Sequence, residues 1–274
     1  MFGAIYGDVV GSYYETHCTK EYEFPLQRQS TFTDDSVLIA AVCKAILQDS
    51  AAIGRLELRS RGREYGTQYR QFYAYFPNAG YGTMFAKWAK SPGTKHGRSY
   101  GNGAAMRVAP IGYAYETMEQ TLLQAKASCL PTHNHPEAIT AAQAVAAAVF
   151  LARQGADKGE IRVFLEKNFK YDLSASLAAI RAVHVFDSRA AYSVPPAIIA
   201  FLESHDYESA VRGAVSLGGD ADTQACIAGA IAEAFYGEIP GHIRRFCETK
   251  IDSTVKRTVR EFCKAYHIFT REGV

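Results

Sequence analysis

The sequence predicts an all-α fold, an orthogonal multi-helix bundle forming a single domain over residues 1–274, on three observations. Apolar residues recur at three- and four-residue spacing through most of the chain. Alternating runs of β-branched residues, which mark half-buried strands, are nearly absent. The breaks between periodic segments are short, and none has the composition of an interdomain linker.

The elements follow in order. Residues 7–15, GDVVGSYYE, read as helix with Asp8, Gly11 and Glu15 on one face, and the glycines allow another helix to come close. Residues 36–47 place Val37, Ala40, Ala41, Lys44 and Ala45 at helical spacing. Further helices are predicted over 138–153, 172–186, 196–203, 207–217, 222–236 and 253–267. The small residues of AAQAVAAAVFLA and CIAGAIAEAF let helix axes approach closely, which puts those two helices at the centre. Breaks are predicted at Pro25 and at 77–82, 91–103, 131–136, 194–196, 218–220 and 240–241.

Composition narrows the function. A net charge of +2 is too small to argue for a nucleic-acid-binding surface. The most basic stretch, Arg55, Arg59, Arg61, Arg63 and Arg70 with Glu57 and Glu64 among them, reads as a solvated helix face. Six cysteines, none in a CxxC pair and most inside apolar helical patterns, read as buried reduced thiols. The first residues lack a basic leader, and the longest apolar stretch, 144–152, is short for a membrane span. A soluble, cytoplasmic protein with no membrane association is expected, with a monomer as the default.

The chemistry concentrates at the breaks. Thr33-Asp34-Asp35 precedes one apolar helix, and Leu217-Gly218-Gly219-Asp220-Ala221-Asp222-Thr223 precedes another. Each alone reads as a helix cap, with acids suited to the helix dipole. Capping needs only one side-chain acceptor, however, and the same Asp, Asp and Thr chemistry occurs twice. Brought together, four carboxylates would repel unless they bound a cation, and hard divalent ions take such oxygen ligands. Mn²⁺ suits the same ligand set as Mg²⁺. The segment 99–110, SYGNGAAMRVAP, opens on a Gly-x-Gly turn whose backbone N–H groups can hold phosphate, and Tyr100 either stacks on a base or fills core. In Thr132-His133-Asn134-His135 the histidines suit polar contacts to ribose or phosphate, or one of them caps the helix that follows. Gly80-Tyr81-Gly82 is backbone able to pass close to a ligand.

Taken together and in this order, GDVVGSYYE, TDDS, GYG, SYGNGAAMRVAP, THNHPEA and LGGDADTQACIAGAIAEAFYG resemble the ADP-ribosylglycohydrolase family, over residues 7–237. The resemblance implies an all-α fold with two Mg²⁺ (or Mn²⁺) ions. By the same resemblance, Thr33, Asp34, Asp35, Asp220, Asp222 and Thr223 would be metal ligands. Ser99, Tyr100, Gly101 and Asn102 would line the diphosphate and ribose, with His133 on the neighbouring wall and Gly80 and Gly82 near the phosphates. Three positions depart from the family pattern: Met84 where relatives carry a third glycine, Ala221 for a common Thr, and Gln224 for an apolar residue. The SYGNG and GSYYE pieces look closest to the branch acting on serine-linked or polymeric ADP-ribose.

The activity implied is hydrolysis of the C1″ glycosidic bond between ADP-ribose and a modified target, through an oxocarbenium-like state. The cations would orient the distal ribose and activate water. Asp34 or Glu15 would be the catalytic carboxylate, and the two stay open as candidates. The partner is an ADP-ribosylated protein or another ADP-ribose conjugate, with nucleic acid entering only as a modified substrate. The alternative is a non-catalytic ADP-ribose-binding protein on the same fold.

Overall fold

A computed structural model describes residues 1–48, 58–91, 93 and 97–268. Among them the chain runs α1 (Phe2–Thr16), α2 (Asp34–Gln48), α3 (Leu58–Tyr75), α4 (Thr83–Lys90), α5 (Ala109–Ala114), α6 (Met118–Cys129) and α7 (Pro136–Arg153). It continues through α8 (Lys158–Phe169), α9 (Leu177–Val183), α10 (Ala190–Leu202), α11 (Tyr207–Val215), α12 (Ala221–Tyr236), α13 (Gly241–Glu248) and α14 (Ser253–Ala265). A 3₁₀ turn at Asn102–Ala104 precedes α5. No strand occurs among the described residues, where pairing is limited to two isolated bridges, Arg98 with His133 and Gly101 with Arg189. The buried apolar side chains form one connected cluster.

The centre of the bundle is α12, buried from Ala221 to Glu233. Its most extensive partner is α1, where Gly3, Gly7 and Gly11 repeat every fourth residue and so form a stripe on one face. A methyl group on Gly7 would stand 2.1 Å from the Ala225 carbonyl oxygen, and one on Gly11 2.4 Å from that of Ala221. The approach is mutual, since a Cβ on Gly229 of α12 would stand 2.4 Å from the Gly3 carbonyl oxygen. Backbone therefore meets backbone, with no layer of side chains between. A helical glycine costs about 1 kcal/mol relative to alanine, and here that loss is offset by dispersion contacts along both helices.

The alanine-rich α7 was expected beside α12, and it does pack there, together with α5, α6, α8 and α10. Its contact with α12 is less extensive than that of α1, whose glycines let backbone meet backbone where alanine keeps a Cβ. At the rim, local side chains set several helix starts. Asp157 and Glu160 form a reciprocal capping box on α8, and Asp206 with Ser209 does the same on α11.

Three expectations are corrected. The helix read over 172–186 is confined to α9. Asp172 turns the chain by accepting the Ser174 amide, Ser176 caps at the Ala179 amide, and the chain leaves the helix at His184 in an extended conformation. The break read at 194–196 lies inside α10, which carries Pro195 and Pro196. Val194, Ala197 and Ile198 are fully buried on either side, and that burial outweighs the hydrogen bonds the prolines cannot donate.

The basic face is only partly solvated. Arg63 is exposed, but Arg61 is buried, and Arg70 lies over the Trp88 ring at 4.0 Å while donating to the Trp88 and Ala89 carbonyls. Arg55 and the side chain of Arg59 lie outside the described residues. All six cysteines are free thiols, with Cys43, Cys129, Cys226 and Cys247 buried, Cys263 half-buried and Cys18 exposed. No described helix is long and apolar enough to cross a membrane.

Gly7→Ala should destabilise the protein by about 1–3 kcal/mol in denaturant unfolding, because the new methyl has only backbone to push against. Gly82→Ala should cost a few tenths of a kcal/mol, since a Cβ there meets nothing within 4 Å. Equal effects from the two substitutions would show that the glycine contact does not hold α1 on α12.

Candidate metal centre and substrate pocket

The site begins with Asp8, a fully buried carboxylate on α1. It accepts the Thr33 amide at 3.0 Å, the Thr33 hydroxyl at 2.8 Å, the Ser36 amide at 3.2 Å and the Ser36 hydroxyl. Asp8 thus supplies, from another helix, the N-terminal cap that a local residue usually gives. Asp34 and Asp35 enter the first turn of α2 with their carboxylates free to converge elsewhere. The sequence reading quoted Asp8 but gave it no role, because its partners lie on a different element.

The start of α12 behaves alike. Asp220 is its N-cap residue yet makes no side-chain cap bond. Its carboxylate accepts instead from Asn102 Nδ2 at 2.8 Å, and that amide also meets Ser193 Oγ at 3.1 Å. Asp222 accepts the Thr223 amide at 2.9 Å. The Thr223 hydroxyl lies 3.4 Å from Asp35 Oδ2, which ties the two helix starts together. Carboxylate oxygens of Glu15, Asp220 and Asp222 lie within 4.8 Å of one another. Simple capping is therefore not what these acids do, and Glu15 joins the acids of α12.

The electrostatics fit a cation. Burial pushes the Asp34, Asp35 and Asp222 carboxyls well above the usual carboxylate range, and their acidic neighbours add to the rise. Burial also raises Glu15, helped by Asp220 and Asp8. It pushes Asp8 up to about 6, against the hydrogen bonds from Ser36 and Thr33 that pull it down. Among the described residues no Lys or Arg side chain pairs with any of these acids. Asp35 Oδ1 is buried without a partner. Hard oxygen donors, mutual repulsion and an orphaned acceptor together match what Mg²⁺ or Mn²⁺ would satisfy.

The residues that the resemblance nominates all line one pocket of about 400 Å³: Glu15, Thr33, Asp34, Asp35, Gly80, Gly82, Ser99, Tyr100, Gly101, Asn102, His133, Asp220, Asp222 and Thr223. Gly80 has φ +99°, a conformation that favours glycine, and a Cβ there would stand 3.5 Å from Asp34 Oδ1. Gly82 is the N-cap of α4, and Met84, one of the departures from the family pattern, lies in that helix on the pocket wall. Ser99 Oγ accepts the Gly101 amide at 3.2 Å, fixing the turn, while Tyr100 stays 47% exposed, so it is no core residue. The two histidines divide their roles. His135 caps α7, accepting the Glu137 amide, and His133 is buried in the pocket wall against Gly103.

Sequence reasoning missed Phe186, Ser188 and Arg189, which also line the pocket. Phe186 ends the stretch wrongly read as helix, and Ser188 and Arg189 lie on the non-helical segment that continues from it to α10. That segment runs beside the Gly-x-Gly turn, with the Asn102 amide donating to the Ser188 carbonyl at 2.9 Å and the Ala190 amide to the Tyr100 carbonyl at 3.0 Å. Gln224, another departure, is the anchor that a pattern search could have flagged. Its buried amide nitrogen lies 2.7 Å from His184 Nε2, at the root of this wall.

The chain is similar over most of its length to proteins named ADP-ribosylhydrolase ARH3. It is 27% identical to that of Homo sapiens, covering 90% of this chain and 88% of the relative. It is 29% identical to that of Mus musculus, covering 90% and 86%. A solved structure described as an ADP-ribosylglycohydrolase-related protein complex superposes with a TM-score of 0.67 at 24% identity, over 97% of this chain and 95% of that one, a likeness of fold. The ADP-ribosylglycohydrolase family model matches residues 1–269, and with that match the chain belongs to the ADP-ribosylglycohydrolase family and is a hydrolase of that class.

Proposed function

We propose that the protein hydrolyses the C1″ glycosidic bond of ADP-ribose conjugates, with two Mg²⁺ or Mn²⁺ ions held by Thr33, Asp34, Asp35, Asp220, Asp222 and Thr223. The observation that carries the reading is the convergence of two acidic helix starts in a pocket that also holds the Ser99–Asn102 turn. Bound there, the cations would supply Lewis acidity that orients the ribose diol and activates water. The same reading takes residues 1–274 as one domain, acting as a monomer in the cytoplasm. Its substrate is an ADP-ribosylated protein or another conjugate, with nucleic acid entering only in modified form.

The chain's own groups divide the remaining work. The Gly101 turn, its Gly101 and Asn102 amides taken by Ser99 Oγ and the Ser188 carbonyl, brings rigid backbone close to the diphosphate, and half-exposed Tyr100 offers a ring face to the base. Glu15 and Asp34 are the two candidates to take a proton from the attacking water. Glu15 is the more open to solvent of the two, so it is the freer to move with substrate. Asp8 does not touch substrate but holds Thr33 and Ser36, and through them the direction in which Asp34 and Asp35 point.

The deciding assay is release of free ADP-ribose from arginine-, serine-, polymer- and nucleic-acid-linked substrates with Mg²⁺, with Mn²⁺ and with EDTA. Metal-dependent release from at least one class is expected. ADP-ribose binding without release from any class would favour a non-catalytic binding protein. Asp222→Asn should lower Mg²⁺ affinity in calorimetry and cut release by about a hundredfold or more. Full activity with normal metal occupancy in that variant would count against the ligand set. Asp8→Asn should cost about 10–100-fold in metal affinity, the usual penalty for removing a group that orients metal ligands, and unchanged affinity would refute its orienting role.

A further inference from the structure

Among the described residues, Arg107 is the largest fully buried side chain. Its guanidinium lies over the Tyr69 ring at 4.0 Å, and its Nη2 donates to the Ser128 carbonyl at 3.2 Å and to the Thr132 hydroxyl at 2.7 Å. The Thr132 hydroxyl lies in turn 2.7 Å from His133 Nδ1. All three side chains are buried, and Arg107 and His133 both line the pocket.

The direction of each bond follows from what each group can do. A guanidinium only donates, so the Thr132 oxygen is the acceptor in the first bond. The hydroxyl keeps one proton, and His133 Nδ1 is the acceptor beside it. Were Nδ1 protonated instead, it would point its hydrogen at the threonine oxygen and leave the hydroxyl proton buried with nothing to meet. Nδ1 is therefore bare, and the ring carries its hydrogen on Nε2. That nitrogen stands 3.0 Å from where a Cβ of Gly103 would be, and Gly103 is another pocket residue. A second proton on the ring is opposed by burial and by the Arg107 charge, which together hold His133 well below the usual histidine range.

We propose that Arg107 and Thr132 are positioning residues that hold His133 as a neutral imidazole, with its Nε2–H presented to an acceptor oxygen of the ribose or diphosphate. The substrate half of this statement rests on the proposed function; the tautomer half does not. A mere wall residue could carry either tautomer, whereas a donor to substrate oxygen must carry this one. The arrangement also keeps the donor in place through the pH range in which free histidine changes charge.

The test is long-range ¹H–¹⁵N correlation spectroscopy of the histidine-labelled protein from about pH 5 to about pH 8, with ADP-ribose affinity measured by calorimetry in Mg²⁺. In the wild type His133 should show a bare Nδ1 and a protonated Nε2 throughout. Thr132→Val removes the donor to Nδ1, and His133 should become a tautomer mixture with ADP-ribose binding about tenfold weaker. Thr132→Ala should behave the same way if the valine variant does not fold, and Thr132→Ser should restore both signals. A wild-type His133 that is protonated at Nδ1, or that titrates as free histidine does, overturns the proposal. So does a hydroxyl-free variant with wild-type ADP-ribose affinity. Tautomer and affinity are both read without turnover, so a protein that passes these tests yet releases no ADP-ribose from any conjugate overturns the hydrolase reading alone.

Discussion

The contact between α1 and α12 sets the rest of the structure. Three glycines spaced by one helical turn remove every side chain from the α1 face, and α12 answers with Ala221, Ala225 and Gly229. Because main chain touches main chain, neither helix can slide or roll without a steric clash. That rigidity is inherited by the charged groups. Asp8 follows Gly7 on α1, and Glu15 lies one turn beyond Gly11. Asp220 and Asp222 flank Ala221, against which Gly11 packs. The spacing of acids across the pocket is thus a spacing between two backbones, and Asp8 passes it on to α2.

The convergence of acids is costly in itself, and the fold meets part of that cost in advance. The acids of α2 and α12 stand at helix N-termini, where the partial positive charge of the macrodipole favours a carboxylate by up to about 1 kcal/mol each. Asp8 is held by hydrogen bonds from Thr33 and Ser36, and Asp220 by Asn102. What stays uncompensated is concentrated on the pocket side, at Asp35 Oδ1 and among Glu15, Asp220 and Asp222. Strain of this kind is stored where a ligand relieves it, and the surrounding core of buried apolar side chains supplies the stability to carry it.

Much of this was legible in the residues. Long periodic segments such as 138–153 and 222–236 are helices because their apolar faces are wide and their ends carry plain stop signals. The pocket residues were legible because glycines and acids at breaks carry few competing structural demands. The failures have physical causes. Local rules end a helix at Pro195 and Pro196, but buried neighbours on both sides keep α10 going. A helical pattern over 172–186 hides the pocket wall because pairing of 188–190 with the Gly-x-Gly turn is a long-range choice that no local window contains. Asp8 as the cap of α2, and Arg107 as the buried cation behind His133, likewise depend on partners distant in sequence.

The α1–α12 contact also dictates an order of events as the chain is made. The Gly3 amide reaches the Glu233 carboxylate across 230 residues of sequence. At ribosomal rates of about 5–20 residues per second, α1 emerges roughly 10–45 seconds before the helix it packs against. Throughout that interval its glycine face has no partner, and α1 alone is too short to be a stable helix in water. The acids of α1 and α2 cannot meet those of α12 until synthesis has passed Asp222. A nascent chain that stops short of α12 therefore carries only the acids of α1 and α2, and the full acidic cluster is assembled as a late step of folding.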